Sequence, residues 1–558
     1  MIRSCIIWVC VLASLSSEAF AQSATQSEIH ALFVVMTDQA DLSPDSLPCS
    51  GLVGRESKSC RGREVHRRLT EVAESAQTGS AFSEQSLIEQ LEQDGVDYRR
   101  FWIINAVLVY GTEELGSQLR TRPDVLDVRI DANPESVPLY QFEIPVDDGT
   151  EPAFEASCET GPAEPYPDAV RGWNLNRIGA PEAWEFGATG RGITVGFVDS
   201  GADWQHPALK RQYRGFDCGG NPAKHDYNWF APKYRDSVGA AANGLCSGSA
   251  PPSWCFSAEP KDNLVMSVHG TAVTGIVAGN DPDRRRTVGV APNASWMACQ
   301  VGDSSGNGGL PAMLECLQFM LAPTKLDGSA PRAEAAPDIV NVSWGCFTAA
   351  RNDGTYEAEQ LCAEAGQLGL EHAVAALHAA GILFVAAAGD DKGCDAIADP
   401  PATVEAALVV GATNLRDEVA TFAPSSRGGA ASGFRPDVMA PQWVASTNGH
   451  DGYTLFMGTS AAAPHVAGQA ALLWSADESL IGEVELTMEL IRQTADPLME
   501  ADVCGDSGDA DYDPHAAGNY SWGWGRINAS HAVQWIVDQS FIVVERPSVD
   551  LGSTLQGW

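Results

Sequence analysis

Three side chains far apart in this 558-residue chain have the chemistry to strip a hydroxyl of its proton and turn it on a carbonyl carbon. Asp199 closes the run Gly190-Arg-Gly-Ile-Thr-Val-Gly-Phe-Val-Asp199-Ser-Gly201, an apolar strand delivering a carboxylate at its carboxyl end, where sites form in open parallel sheets. His269 stands at the mouth of a helix of small residues, Val268-His-Gly-Thr-Ala-Val-Thr-Gly-Ile-Val-Ala-Gly279. Ser460 opens another, within Gly458-Thr-Ser-Ala-Ala-Ala-Pro-His-Val-Ala-Gly468, where its hydroxyl meets free backbone N–H groups and the positive end of the helix dipole. Singly, each has a plainer meaning. An Asp after a strand is commonly a turn or cap residue, a lone His is as often structural, and a Ser at a helix start is an N-cap. Gly190 and Gly192 do not form a dinucleotide loop either, because they precede their strand, whereas that fingerprint follows one and opens a helix. The conjunction decides. A carboxylate, an imidazole and a hydroxyl, in that order and each in a distinctive frame, are the parts of nucleophilic acyl transfer.

The elements that must position them are legible as well. Apolar strands from Ile193 to Val198, Asp338 to Val342, Ile382 to Ala387 and Ala407 to Gly411 alternate with helical stretches such as Glu371 to Ala380. This predicts an α/β fold with a doubly wound, largely parallel sheet. Upstream, Ile29 to Met36, Phe101 to Tyr110 and Val125 to Ile130 read as strands, while Ser86 to Gln93 (closed by Gly95) and Thr112 to Arg120 read as helices. That order suits a small α/β sandwich. Between the two, Pro138 to Arg171 is rich in Pro, Asp and Glu without periodicity, the composition of a linker.

At the start, Arg3, the apolar run from Ile6 to Leu15 and Ala19-Phe-Ala21 form a secretory leader. The run is roughly half of the about 20 residues that a spanning helix needs, so no stable membrane anchor is expected. The division is then 1–21 leader, 22–137 sandwich, 138–171 linker, 172–535 main domain and 536–558 short tail.

Charge narrows the partners. With 73 acidic against 35 basic residues, net −38, the chain repels phosphate backbones and anionic surfaces, which excludes nucleic acid as a first partner. Hydrophobic residues at 44% and charged ones at 19% are those of a globular protein. Of 14 cysteines two lie in the leader, leaving an even number bound for an oxidising compartment. Disulfides are expected, and proximity suggests Cys49 with Cys60 and Cys218 with Cys246 or Cys255. No closely spaced cysteine pair of the zinc kind and no HExxH motif occurs, which argues against a metalloenzyme.

The frames Asp199-Ser-Gly, His269-Gly-Thr and Gly-Thr-Ser460-Ala-x-x-x-Pro-His resemble those of the subtilisin-like serine peptidase family. The likeness extends over roughly residues 173 to 535, from Trp173-Asn-Leu-Asn-Arg-Ile-Gly-Ala-Pro-Glu-Ala-Trp184 to Trp524-Gly-Arg-Ile-Asn528. The segment before it, with Trp102-Ile-Ile-Asn-Ala, resembles the family's inhibitory, chaperone-like propeptide. The resemblance implies a secreted (extracellular or periplasmic) serine endopeptidase acting on polypeptides, made as a self-processing zymogen and inhibited by its own propeptide. It implies Ser460 as nucleophile, His269 as base and then acid, and Asp199 as the group that holds the imidazole. It requires no cofactor for the chemistry, and it allows structural calcium with no ligand set assigned.

One position departs from the family. After the strand ending at Ala388 the family has Gly-Asn, the Asn amide completing the oxyanion hole, whereas this chain reads Gly389-Asp390-Asp391. An ionised Asp only accepts hydrogen bonds; a protonated one donates. Asp390 is therefore expected either to be kept neutral by burial or to leave the hole to backbone donors. The alternative is a catalytically weakened or inactive binding protein of the same fold. Ser343, Trp344 and Gly345, with Ala386 to Gly389, are implied as flanks of the specificity pocket. His206 and His465 are expected to hold local structure. A Ser-Glu-Asp acid peptidase shares the Gly-Thr-Ser frame but carries Glu in the role His269 fills.

Overall fold

The run His30–Met36 (β1) sends successive side chains to opposite faces, and both faces are covered. Ala31, Phe33 and Val35 enter one buried cluster; Leu32, Val34 and Met36 enter another. After β1 come α1 (Gly54–Thr78), α2 (Leu87–Gln93), β2 (Tyr98–Phe101), β3 (Ala106–Gly111), α3 (Glu113–Leu119) and β4 (Val125–Asp131). The strands make an antiparallel sheet in the order β2-β3-β1-β4, the α/β sandwich expected from sequence. Ser86 starts α2 with a reciprocal capping box, and the Thr112 side chain caps α3. One expectation is corrected: Phe101 to Tyr110 is not a single strand. Residues 102–105 turn, with Asn105 at φ 41°, a left-handed conformation that Asn tolerates, so two strands form a hairpin.

The structure, a computed structural model, describes residues 29–79, 85–131, 137–138, 170–217, 222–232, 260, 262, 268–282, 284–301, 307–308, 310–345, 369–397, 399–421, 424–429, 434–449, 451–498, 504 and 518–540. The leader, most of the linker, most of the tail and the cysteines at 218, 246 and 255 lie outside the described residues.

The larger sheet contains β5 (Thr194–Asp199), β6 (Trp229–Phe230), β7 (Ser295–Gln300), β8 (Ile339–Val342), β9 (Leu383–Ala387), β10 (Leu408–Thr413) and β11 (Val438–Pro441). All seven run parallel, in the order β11-β10-β9-β8-β5-β7-β6. Such strands are buried on both sides, which is why they read as unbroken apolar runs. Helices α4 (His269–Ala278) and α7 (Thr459–Ala476) cover the face that receives Val195 and Phe197. Helices α5 (Leu310–Leu321) and α6 (369–379) cover the face that receives Val198 and Val340.

The small sheet lies against α5 and α6, since Ala31, Phe33 and Val35 share a cluster with Leu314, Leu317, Leu370 and Val374. Polar ties flank that contact. Arg99 pairs with Glu315 at 2.9 Å, and the buried Lys58 ammonium reaches the buried Asp338 carboxylate at 3.1 Å. Cys49–Cys60 is bonded as expected; Cys299–Cys316 ties β7 to α5, and Cys394–Cys504 spans 110 residues. Among the described residues no helix is long and apolar enough to cross a membrane.

Candidate active site

Asp199 is the last residue of β5 and lies almost fully buried at its carboxyl end. His269 is the first residue of α4, and the two elements can meet because the position after the histidine is glycine. A Cβ at Gly270 would sit 2.0 Å from the Gly201 carbonyl oxygen and 3.0 Å from Asp199 Oδ1. His269 Nδ1 lies 2.7 Å from Asp199 Oδ1, which also accepts the Ser200 backbone N–H at 2.7 Å. A carboxylate there takes the Nδ1 proton as its hydrogen-bond donor, which leaves Nε2 of the neutral ring with its lone pair. Phe456 meets the imidazole edge to face at 5.1 Å and fixes the plane of the ring. Burial favours the uncharged imidazole, but Asp199, with Asp262 and Asp390 nearby, outweighs it, and the pKa rises above the ordinary histidine value.

Ser460 is the second residue of α7. Its Oγ donates to the Ser343 carbonyl oxygen at 2.8 Å, and Ser343 Oγ donates back to the Ser460 carbonyl oxygen at 3.1 Å. Pro464 explains why that carbonyl is available. In a regular helix the N–H four residues on would bond to it, and proline has none. Asn341 Nδ2 in turn holds Ser343 Oγ at 2.9 Å, so the end of β8 grips the nucleophile's turn.

Asp390 follows β9 and caps α7 through space. Its Oδ1 accepts the Thr459 N–H at 2.7 Å and the Thr459 hydroxyl at 3.0 Å. Its Oδ2 faces Gly458, where φ is +84° and a Cβ would come within 2.7 Å of that oxygen. Burial raises the Asp390 pKa; the Thr459 donors and His269 oppose the rise without cancelling it. The structure thus brings Asp199, His269, Ser460, Ser343 and Asp390 to one end of the parallel sheet.

Trp344 directs its indole N–H to the Val198 carbonyl oxygen at 2.8 Å, bracing β5 one residue before Asp199. Gly345 faces Pro400, whose carbonyl oxygen would be 3.4 Å from a Cβ there. His206 and His465 are fully buried and bonded at both ring nitrogens. His206 meets the Gly452 carbonyl at 2.8 Å and the Ala208 N–H at 3.1 Å; His465 meets the Ala461 carbonyl and Asn174 Nδ2, each at 2.8 Å. Burial pushes His465 down to about 4, so it remains an uncharged structural ring.

Sequence reasoning passed over Asp262 and Gln442. Asp262 Oδ1 accepts the Ser200 hydroxyl, and Oδ2 accepts both the N–H and the hydroxyl of Thr271, each at 2.8 Å. Gln442 Oε1 accepts the Gly458 N–H at 2.6 Å. Neither residue sits in a run with periodicity, so no signal short of the fold reveals them. Among the described residues no group of three or more His, Cys, Asp or Glu side chains is arranged to hold a metal ion.

A carboxylate-held imidazole and a serine at a helix start, both at the carboxyl end of a parallel sheet, have the layout of a serine hydrolase. The chain belongs to the Subtilase family, whose sequence pattern matches residues 190–525. It is similar to bacillopeptidase F of Bacillus subtilis (strain 168), 28% identical over 509 residues, covering 87% of this chain and 30% of that protein. The Gly289-Val-Ala-Pro-Asn-Ala294 block and the Leu321-Ala-Pro-Thr324 stretch point the same way. Thermitase of Thermoactinomyces vulgaris is 28% identical over 376 residues, 67% of this chain and 99% of that enzyme. The minor extracellular protease Epr of B. subtilis (strain 168) is 25% identical over 407 residues, 73% of this chain and 48% of that protein. The chain thus spans less than a third of the length of bacillopeptidase F.

Proposed function

We propose that this subtilase is a secreted serine endopeptidase that hydrolyses peptide bonds of proteins by Asp-His-Ser acyl transfer. The observation that carries the proposal is the 2.7 Å contact between Asp199 Oδ1 and His269 Nδ1, which puts the ring proton on Nδ1 and makes Nε2 the basic nitrogen. A rotation about χ1 of Ser460 swings its hydroxyl from the Ser343 carbonyl to Nε2, a tightening of the kind that substrate binding brings about. Oγ then attacks the peptide carbonyl carbon while its proton passes to Nε2. The tetrahedral centre collapses, the C–N bond breaks, and the amine leaves with that proton. Water, deprotonated by the same nitrogen, cleaves the acyl-enzyme. The Ser460 N–H, which at the second position of α7 is given no partner by the helix itself, is the donor for the developing oxyanion. If Asp390 supplies the second donor, it does so from Oδ2 in its neutral form, because Oδ1 already accepts from Thr459.

The N-terminal sandwich is an inhibitory propeptide in this proposal, and the molecule a zymogen. Two features support it: the sandwich lies against α5 and α6, and Val137–Pro138 adds as an antiparallel strand to Asn307–Gly308. Export is supported by the leader in the sequence, by the disulfides and by the similarity to the minor extracellular protease Epr.

A second reading, an inactive or weakened binding protein of the same fold, rests on one observation. Asp390 accepts both Thr459 donors, as an ionised carboxylate would, and an anion there opposes the oxyanion. Expression of the full precursor beside Ser460→Ala separates the two. Self-cleavage between residues 138 and 172 in the wild type alone, with fluorophosphonate labelling of Ser460, supports the peptidase; two unlabelled, full-length proteins support the binding protein.

A further inference from the structure

Asp262 is a part-buried carboxylate that acyl transfer as described leaves without a task. It sits where two segments bearing the proposed reacting groups diverge. Ser200 follows Asp199, and its hydroxyl donates to Asp262 Oδ1 at 2.8 Å while accepting the Gly270 N–H at 2.9 Å. Thr271, two residues past His269, gives Asp262 Oδ2 both its N–H and its hydroxyl at 2.8 Å. The N–H groups of Gly270 and Thr271 belong to the first turn of α4, where no helical partner exists for them. One carboxylate and one hydroxyl therefore close a ring of hydrogen bonds between the end of β5 and the start of α4.

We propose that Asp262 is a positioning residue for the Asp199–His269 pair, clamping Ser200 to Thr271 so that the imidazole is held at its distance from Asp199 and formation of imidazolium is favoured. This rests on the serine-peptidase reading.

A hydroxyl or amide at this place would satisfy the same helix donors at less electrostatic cost. Burial, opposed by the bonds from Thr271 and Ser200, pushes the Asp262 carboxyl up to about 6, and neighbouring Asp199 adds to the rise. What a carboxylate adds over a neutral cap is a second negative charge near His269, one of the influences that raise the histidine. The ionisable groups about it are Asp199 at the end of β5 and His269 at the start of α4; Asp390 acts on the imidazole too. The effect matters most when His269 has taken the Ser460 proton and become a cation.

The test compares wild type, Asp262→Asn and Ser200→Ala in the full chain, with kcat and KM for a chromogenic peptide followed from acid to alkaline pH. Asp262→Asn should lower kcat by up to about 100-fold with KM little changed, the scale of a catalytic group slightly misplaced. Its acid limb should also move to lower pH, because the imidazole loses an anion that favours its protonated form. A residue that merely capped α4 would lower thermal stability and leave the limb in place, which overturns the inference, as does a kcat within twofold of wild type. Should Asp262→Asn fail to fold, Ser200→Ala cuts the clamp and keeps the charge. A fall in kcat with an unmoved limb supports the clamp, and unchanged kcat sinks it. Fluorophosphonate labelling keeps the two levels apart. An unlabelled wild type removes the peptidase reading and this inference with it, whereas a labelled wild type matched by both variants removes this inference alone.

Discussion

The two halves of the candidate site are built differently. On the acid–imidazole side the contact is already made: Asp199 and His269 touch at 2.7 Å, glycine at 270 lets their elements meet, and a second carboxylate ties the segments together. On the hydroxyl side Ser460 Oγ is engaged with a backbone carbonyl, and the residue after Gly389 is a hydrogen-bond acceptor where the family places a donor. The contrast has a physical reason. An ion-paired imidazole gains from a fixed, desolvated partner, whereas a nucleophile must leave its resting contact to reach substrate. The difference teaches where variation is tolerable: changes on the first side should cost base strength, and changes on the second should cost or restore transition-state stabilisation.

The largest expected effect lies on the hydroxyl side. Ser460→Ala should lower kcat on the order of 10⁶-fold and abolish fluorophosphonate labelling, measured in single turnovers with a peptide substrate. Next, Asp199→Asn should cost about 10⁴-fold in kcat, because the amide no longer holds the tautomer with the proton on Nδ1 and the lone pair on Nε2. The double variant should be no slower than Ser460→Ala, since residues that act as one unit do not lose activity additively. A double variant much slower than Ser460→Ala would show that the two halves work independently.

How much of this the chain announces depends on how local the cause is. β5, β8, β9 and β10 were visible as apolar runs because parallel strands are buried on both faces, and each is found within about two residues of its expected bounds. Asp199, His269 and Ser460 were visible because each stands in a frame of small residues at an element's end. α1 was not. Val65, Leu69 and Ala73 mark one narrow stripe in a 25-residue helix otherwise mostly polar or charged, too thin to declare it. Asp262 was invisible for a different reason: its partners Ser200 and Thr271 are distant or ordinary in sequence, and only the fold makes them converge. The same holds for the Cys299–Cys316 and Cys394–Cys504 bonds, whose spacings carry no hint of pairing.

Asp390→Asn sharpens the contrast by giving the hydroxyl side the donor it lacks. The signs work against each other in the wild type. His269, its pKa raised, must be above that pKa to act as a base, while Asp390, its pKa also raised, must be below its own to donate from Oδ2. The two requirements therefore pull in opposite directions as the pH rises. An amide donates at every pH, so Asp390→Asn should raise kcat by about 100-fold on the alkaline side, the scale of one oxyanion donor, and change little on the acid side. Equal profiles for the two proteins would place Asp390 outside the hole and make it only the cap of α7.

Ser343→Ala carries the smallest expected effect and probes what holds the nucleophile's turn. The Ser460 carbonyl, released from helical bonding by Pro464, would lose the hydroxyl that now satisfies it. A carbonyl stranded in this way costs about 1–3 kcal/mol, which should appear as a lower thermal midpoint. The Ser460 hydroxyl itself keeps its acceptor, because that is the backbone of residue 343 and survives the substitution. Turnover should therefore fall only a few-fold, through looser placement of the turn, with the pH limbs unmoved because no charge near His269 has changed. If kcat instead fell as far as in Asp199→Asn, the hydroxyl side would be as tightly preorganised as the acid side, and the contrast between the two halves would dissolve.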